Sequence, residues 1–337
     1  RSGRGCMFEL VPYALLTIII ALLIDRFIGE PPNSLHPVVW MGKVISFFDE
    51  RIARGHPRRE RLFGALMALA VILMFSIAVL LLMALVRDSL GLLVWAVVGG
   101  ILLKTMFAMS AMGKHTEPVR QALLAGDLEL GRQKAAMMVS RDVSQLDKEH
   151  VISCAAESAA ENTVDSIFSP LFYFGLLGLP AAVAYRVSNT LDAMVGYLDD
   201  KHRYVGWFSA KLDDGTNFIM ARAAVPFILL ALLILGKDWK AGWNASKKYH
   251  DQTLSPNKGW HMSAFAGGLG IRFEKIGWYV MGDGPLPSDP EVLRDTIKVM
   301  TMASYLFLLT VIVPLYLLVG AEVQVFVEDI LLGLIGV

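Results

Sequence analysis

Three acidic side chains recur at a spacing that places them on one side of a helix. Glu157, Glu161 and Asp165 occupy positions i, i+4 and i+8 of the segment ESAAENTVDS, with Asn162 at the edge of the stripe. Like charges four residues apart on a helix repel each other. A divalent cation removes that repulsion, and Mg²⁺ is usually held by one or two carboxylates together with water and substrate phosphates. The pattern therefore indicates a metal site, and a solvated acidic helix face is the alternative.

Two further groups of acidic and amide side chains stand next to short apolar runs. They are Asn189 and Asp192 in the first group, and Asp213, Asp214 and Asn217, followed by Arg222, in the second. Polar groups at membrane depth are costly unless they are paired or bind something. We therefore interpret the three groups together as one site. The alternative use of the same acids is internal pairing with Arg141, Arg186, Arg203 or Arg222.

The composition is that of an integral membrane protein with substantial water-facing parts. Of 337 residues, 55% are hydrophobic and 18% are charged. The formal net charge is zero, so composition gives no indication of a nucleic-acid partner. Two cysteines cannot build a disulfide framework. The partner that composition does indicate is the lipid bilayer.

The apolar runs predict an all-α fold, a polytopic membrane protein with interrupted or re-entrant helices and cytoplasmic helical segments. We expect one integral membrane domain over residues 1–337, with spans at 8–24, 62–86, 90–112 and 301–319 and water-facing regions at 113–166 and 237–300. The second and third spans form a helical hairpin, and Lys104 is expected to reach the interface near its end.

Residues 167–184 and 218–235 are short apolar runs, and the first contains Pro170, Gly175, Gly178 and Pro180. Non-helical backbone at membrane depth is tolerated only where it lines a cavity or is buried in protein. The two runs either cross the membrane or are re-entrant, and the sequence leaves both open.

The distribution of basic residues predicts the orientation. Seven Lys or Arg lie between Arg26 and Arg61, which places that connection in the cytoplasm. We expect a multi-pass protein of the cell membrane whose site faces the cytoplasm.

Six blocks of sequence resemble, in order, the adenosylcobinamide-phosphate synthase family of cobalamin biosynthesis (CbiB/CobD). The blocks are LIDRFIGEPPNSLHPVVWMG, SRD, AAENTVDSIFSPLFY, YRVSNTLDAMVGY, RYVGWFSAKLDDGTNFIMAR and SPNKGWHMSAFAGGLGIRFEKIGWYVMG. The resemblance implies an ATP- and Mg²⁺-dependent ligase that joins a carboxyl of adenosylcobyric acid, a corrinoid, to (R)-1-aminopropan-2-ol O-phosphate or a related amino-alcohol phosphate. It is compatible with a homo-oligomer or with a complex with other cobalamin-pathway enzymes.

With that resemblance we assign roles to the polar residues. The metal ligands are predicted to be Glu157, Glu161, Asp165, Asp192, Asp213 and Asp214, of which Glu161, Asp165, Asp192 and Asp213 are the catalytic candidates. Substrate and phosphate contacts are predicted for His36, Arg141, Asp142, Asn162, Asn189, Tyr197, Asn217, Arg222, Asn257, Trp260 and Lys275. Ala193, Lys258 and His261 depart from the usual family pattern, and the last two are expected to influence which amino-alcohol phosphate is accepted.

Two other functions remain compatible with the residues. One is a Mg²⁺-dependent membrane transferase acting on a phospho-alcohol or prenyl substrate, although the spacing from Asp214-Gly215 to Ala221-Arg222 is too long for the usual motif. The other is a corrinoid transporter or binding protein without chemistry, in which the interrupted segments would form the path.

Overall fold

The computed structural model describes residues 3–336, so residues 1, 2 and 337 of the predicted single domain lie outside the described part. The α-helices are α1 Gly3–Leu23, α2 Pro37–Asp49, α3 Pro57–Lys104, α4 Met109–Leu124, α5 Leu128–Ala135, α6 Lys148–Thr163, α7 Ser169–Leu177, α8 Leu179–Val195, α9 Trp207–Ile234, α10 Trp239–Tyr249, α11 Lys258–Gly268, α12 Glu291–Phe307, α13 Val313–Leu315 and α14 Ala321–Ile335. Four π-helical turns occupy Ile24–Ile28, Val164–Phe168, Leu308–Ile312 and Tyr316–Gly320. A single antiparallel hairpin pairs β1 Phe273–Lys275 with β2 Tyr279–Met281.

The predicted all-α membrane fold is confirmed. Within the described residues, four helical stretches are long and apolar enough to cross a membrane, namely Glu9–Ile28, Pro57–Leu124, Trp207–Ile234 and Glu291–Ile335. The chain separates into two compact units. Unit 1 comprises the residues up to Ala108, Ser169–Thr216 and the residues from Leu309, and unit 2 comprises Met109–Phe168 and Asn217–Leu308.

Unit 1 contains the predicted hairpin. Helix α3 breaks at Gly91, which has φ 80° and ψ 174°, a conformation that favours glycine. A Cβ atom at Gly99 would lie 3.2 Å from Met83, so the two arms of α3 run back along each other. The second arm ends at Lys104, so the predicted span 90–112 is divided between α3 and α4.

Small residues allow the helices of unit 1 to approach closely. A Cβ at Gly100 of α3 would lie 2.8 Å from Ile20 of α1, and one at Gly320 would lie 2.3 Å from the carbonyl of Gly175 in α7. Close backbone approach of this kind is how membrane helices gain packing energy.

The run 167–184 is not a continuous helix. It is divided at Gly178, which has φ 81°, between the nine-residue α7 and the following α8. A helix of nine residues is about 14 Å long, much less than the hydrocarbon core. The run 218–235, in contrast, lies largely in α9, one of the four candidate spans.

Unit 2 is built around α6, whose residues from Val151 to Ala160 are all buried. Ala155, Ala156, Ala159 and Ala160 give this helix little bulk. Helices α4, α5, α11 and α12 and strand β1 therefore all contact it. Glu157 is thus positioned inside a protein core, whereas the Glu161 side chain further along the acidic stripe is 29% exposed.

Candidate functional site

Glu157 of α6 is buried and held by two partners in unit 2. Arg141 donates from Nη2 to Glu157 Oε2 at 3.2 Å, and the Tyr279 hydroxyl on β2 donates to Oε1 at 2.8 Å. The Glu157 side chain is 7% exposed. Burial raises the pKa of Glu157 above its ordinary value, although Arg141 and Tyr279 oppose the shift. Burial beside Glu157 likewise raises the pKa of Tyr279, so the phenol stays protonated and remains a donor.

Glu161, one turn further along α6, has a separate cation. Lys258 Nζ lies 2.6 Å from Glu161 Oε1. Burial opposes ionisation, but the charge and hydrogen bond of Lys258 outweigh it, and the pKa of Glu161 lies below its ordinary value. His261, on the turn of α11 after Lys258, is 1% exposed, and burial lowers its pKa to about 4. At neutral pH the cluster therefore contains an ionised Glu161, a charged Lys258 and a neutral imidazole.

Lys275 adds a third cation to the same cluster. Its charge acts on Glu161 and on the thiol of Cys154, which also accepts a hydrogen bond from Arg141 Nε at 3.3 Å. We name the set Arg141, Glu157, Glu161, Lys258, Lys275 and Tyr279 the buried cluster after its one buried member, Glu157; the side chains of Glu161 and Lys258 are 29% and 31% exposed. It contains three cations and two carboxylates, an excess of positive charge that suits phosphate oxygens.

A second predicted group in unit 2 comes together at α9 and α11. Arg222 Nη1 donates to Asn257 Oδ1 at 3.1 Å, and the guanidinium lies 5.4 Å from the centre of the Trp260 ring. Trp260 stacks on His250 at 4.2 Å. These three predicted residues are therefore neighbours: Asn257 is buried, and the partly exposed Arg222 and Trp260 offer a cation and an aromatic ring to a ligand.

Several of the other predicted site residues lie in unit 1. Asn189 Nδ2 donates to Asp213 Oδ1 at 3.3 Å, linking α8 to α9. Asp213 is 5% exposed. Asp214 lies 3.2 Å from Lys211, and the Asp192 carboxylate approaches Gly196 so closely that a Cβ there would lie 2.1 Å from Oδ1.

His36 belongs to an ion cluster that the sequence did not predict, in which Asp25 and Lys104 are buried and Glu30 is exposed. Its Nε2 lies 3.2 Å from Glu30 Oε2, and Glu30 in turn contacts Lys104 Nζ at 2.6 Å. Lys104 also lies 3.2 Å from Asp25 and is 1% exposed. The prediction that its side chain reaches the membrane interface is therefore wrong. The clue in the sequence was the pair of opposite charges, Asp25 and Lys104, within apolar runs.

The other predicted residues make local contacts. Asp142 accepts from the Ser144 backbone N–H at 2.8 Å, and Asn162 donates to the Ser158 carbonyl at 2.9 Å. Asp165 lies in the π-helical turn after α6, Asn217 is 2% exposed and Tyr197 is 43% exposed. These roles in binding stay predictions.

The arrangement of the acidic side chains limits how a metal ion could be held. In the described part of the chain, no group of three or more His, Cys, Asp or Glu side chains is arranged to hold a metal ion. Glu157 and Glu161 are each neutralised by a cation. The predicted metal ligands therefore do not form an all-protein cage within the described residues, and Mg²⁺ held by one or two carboxylates together with phosphates stays a prediction.

Comparison with known proteins identifies relatives over nearly the whole chain. The profile of the family described as CobD/Cbib protein matches residues 18–321. A probable cobalamin biosynthesis protein CobD of Methanothermobacter thermautotrophicus is 39% identical over 292 residues, covering 87% of this chain and 95% of that protein. Similar proteins are the cobalamin biosynthesis protein CobD of Dehalococcoides mccartyi, 35% identical with coverage of 90% and 97%, and the probable CobD of Pyrococcus furiosus, 38% identical with coverage of 89% and 99%. No solved structure matches the chain.

Proposed function

The chain belongs to the CobD/Cbib family, and from this premise we propose that it is an adenosylcobinamide-phosphate synthase. Membership supports a role in cobalamin biosynthesis. The proposed reaction joins a propionate carboxyl of adenosylcobyric acid to the amine of (R)-1-aminopropan-2-ol O-phosphate, or a related amino-alcohol phosphate, at the expense of ATP. The observation that carries the proposal is the buried cluster of unit 2, with its excess of cations beside ionisable carboxylates.

Amide formation requires an activated carboxyl. A carboxylate does not react with an amine until one of its oxygens becomes part of a leaving group, which phosphoryl or adenylyl transfer from ATP provides. In our proposal Arg141, Lys258 and Lys275 hold phosphate oxygens in position while charge moves onto them. Mg²⁺ would neutralise the phosphates when bound, and we propose that Glu161 and Asp165 of unit 2 are the acids that would share it with them.

The corrinoid and the amine need separate recognition. We propose that Arg222 and Trp260 contact the corrinoid, because an indole ring offers apolar area and a guanidinium can donate to amide carbonyls, and that the buried Asn257 holds Arg222 in place. The neutral ring of His261 beside Lys258 is proposed to influence which amino-alcohol phosphate is accepted.

The test is a mass-spectrometric assay of purified protein in detergent with adenosylcobyric acid, the amino-alcohol phosphate, ATP and Mg²⁺. Product should require every component, and release of ADP or AMP would identify the activated intermediate. The variants Lys258→Gln and Lys275→Gln should raise the KM for ATP at least about tenfold, equivalent to about 1.4 kcal/mol of lost binding. The exposed Lys114→Gln is the matched control.

Two outcomes would replace the proposal. Saturable corrinoid binding without any product would favour a binding or transport protein. The absence of both product and corrinoid binding would favour the phospho-alcohol transferase.

A further inference from the structure

A groove on unit 2 lies apart from the buried cluster and has no part in the proposed reaction. Its volume is about 350 Å³, within the range of ligand pockets. It is lined by Gly113, Thr116 and Glu117 of α4, by Leu235, which follows α9, and by residues Leu293 to Tyr305 of α12. Most of the lining is apolar, and the charged side chains stand together on the first half of α12 and on α4.

The two helices give the groove a polar end and an apolar end. Gly113 lies next to Ile297, since a Cβ there would be 3.6 Å from Ile297 Cγ2. Arg120, two turns along α4, pairs with Glu291. Helices α4 and α12 are therefore antiparallel. The groove thus runs along α12 from Leu293 to Tyr305, and the ion pairs with Glu291 lie just beyond its Leu293 end.

The charges around the polar end do not balance. The cations are Arg120, Lys237, Arg294 and Lys298, and the anions are Glu117, Glu291 and Asp295. Arg120 and Lys237 make close ion pairs with these acids. Arg294 shares Glu291 with Arg120, at 3.8 Å and with its side chain 61% exposed, and Lys298 shares Asp295 with Lys237, at 3.3 Å and with its side chain 49% exposed. The unbalanced positive charge therefore falls on Arg294 and Lys298, one helical turn apart in the lining of the groove.

The location of the groove suits an amphiphile. Its walls belong to the ends of candidate spans, because α12 begins the stretch Glu291–Ile335 and Leu235 directly follows Trp207–Ile234. Tyr305 at the apolar end is 37% exposed, and tyrosine is typical of the membrane–water interface. We propose that this groove binds one anionic phospholipid, whose phosphate contacts Arg294 and Lys298 and whose acyl chain lies along Ile297, Met302 and Leu235.

The test measures lipid binding directly and is independent of ligase activity. Delipidated protein in neutral detergent is titrated with phosphatidylglycerol or phosphatidylcholine and followed by native mass spectrometry and thermal unfolding. We expect one saturable phosphatidylglycerol per chain, bound at least tenfold more tightly than phosphatidylcholine. The double variant Arg294→Gln/Lys298→Gln should lose that preference. The control Lys240→Gln/Lys247→Gln removes the same charge from exposed positions of α10 and should retain it.

A second variant tests the apolar end. Gly113→Leu directs its side chain toward Ile297 and fills the groove, while leucine favours the helix more than glycine does. This variant should unfold no earlier than the wild type without lipid, and should lose the bound phosphatidylglycerol. Equal binding of the two lipids, wild-type binding by both groove variants, or equal protection by glycerol phosphate without an acyl chain would each overturn the proposal.

Discussion

Replacement of Arg141 by glutamine should make the stability of unit 2 depend on pH. In the wild type, Glu157 is buried between Arg141 and Tyr279, and its pKa is raised mainly by burial. Arg141 is the largest influence that opposes this shift. In Arg141→Gln the carboxyl keeps the Tyr279 hydrogen bond but loses the cation, so its pKa should rise further.

The direction of the pH dependence follows from the difference in the Glu157 pKa between the folded and unfolded states. A folded state with a raised carboxyl pKa binds the proton more tightly than the unfolded chain, whose pKa is near 4.5. That contribution to stability is present at low pH and is lost as the pH rises through the folded pKa. Each further unit of increase costs about 1.4 kcal/mol above that pH. Removing one partner of a buried ion pair costs about 3–5 kcal/mol. Because the Arg141 side chain is 19% exposed, we expect a loss of about 3 kcal/mol at pH 8.

The assay is denaturant or thermal unfolding of the purified protein in detergent between pH 5 and pH 8. The stability of the variant should approach that of the wild type toward pH 5, as Glu157 takes up its proton, and should fall below it as the pH rises. The double variant Arg141→Gln/Glu157→Gln carries no charge at either position of this ion pair, so it should recover most of the stability lost at pH 8. Arg132→Gln is the matched control, because Arg132 pairs with Glu129, whose side chain is 69% exposed, and its cost should not vary with pH.

Two results would refute this reasoning. One is a loss of equal size for Arg141→Gln at pH 5 and at pH 8. The other is a double variant that is as unstable at pH 8 as Arg141→Gln alone.

Three other changes have defined outcomes. Lys104→Met should destabilise the protein by about 3 kcal/mol or more, because it leaves two carboxylates without their buried cation, whereas the exposed Lys114→Met should cost under about 0.5 kcal/mol in the same unfolding assay. Arg87→Gln should cost about 3–5 kcal/mol because the Glu328 side chain is 0% exposed, and Glu328→Gln in the same chain should restore part of the loss. Asp165→Asn should lower amide formation at least about 100-fold in the mass-spectrometric assay with little change in unfolding temperature, because it removes a proposed Mg²⁺ ligand, and turnover within a few-fold of wild type would remove Asp165 from the proposed site.

Periodicity and composition were sufficient for the parts of the fold that depend on neighbouring residues. The helical hairpin, the interrupted run around Gly178 and the helical spacing of Glu157 and Glu161 all follow from local patterns. The exact residues at which the helices break did not follow from local patterns. The hairpin turns at Gly91, where only glycine adopts the backbone angles easily, and not between the predicted spans 62–86 and 90–112.

The partners of the acidic residues could not be read from spacing. Glu157 meets a tyrosine 122 positions away, and Lys104 meets Glu30 across 74 positions. Such contacts depend on which helices become neighbours, and a single sequence does not contain that information in its local pattern. The sequence did supply the list of cations, and one of the alternatives considered, pairing of the acids with Arg141, is what the structure has for Glu157.

The ion pair between Arg87 and Glu328 has a consequence for the order of events during synthesis. The two residues are separated by 241 positions, so Arg87 is inserted long before its partner leaves the ribosome. Until α14 arrives, Trp95 also lacks its acceptor on Glu328, and the amide of Leu179 lacks the Gln324 side chain that caps α8. Until then, Arg87 in the hairpin lacks the carboxylate of Glu328, and the first turn of α8 lacks its capping side chain. A chain truncated before α14 should therefore be degraded by membrane proteases, even though it contains every residue proposed to act in catalysis.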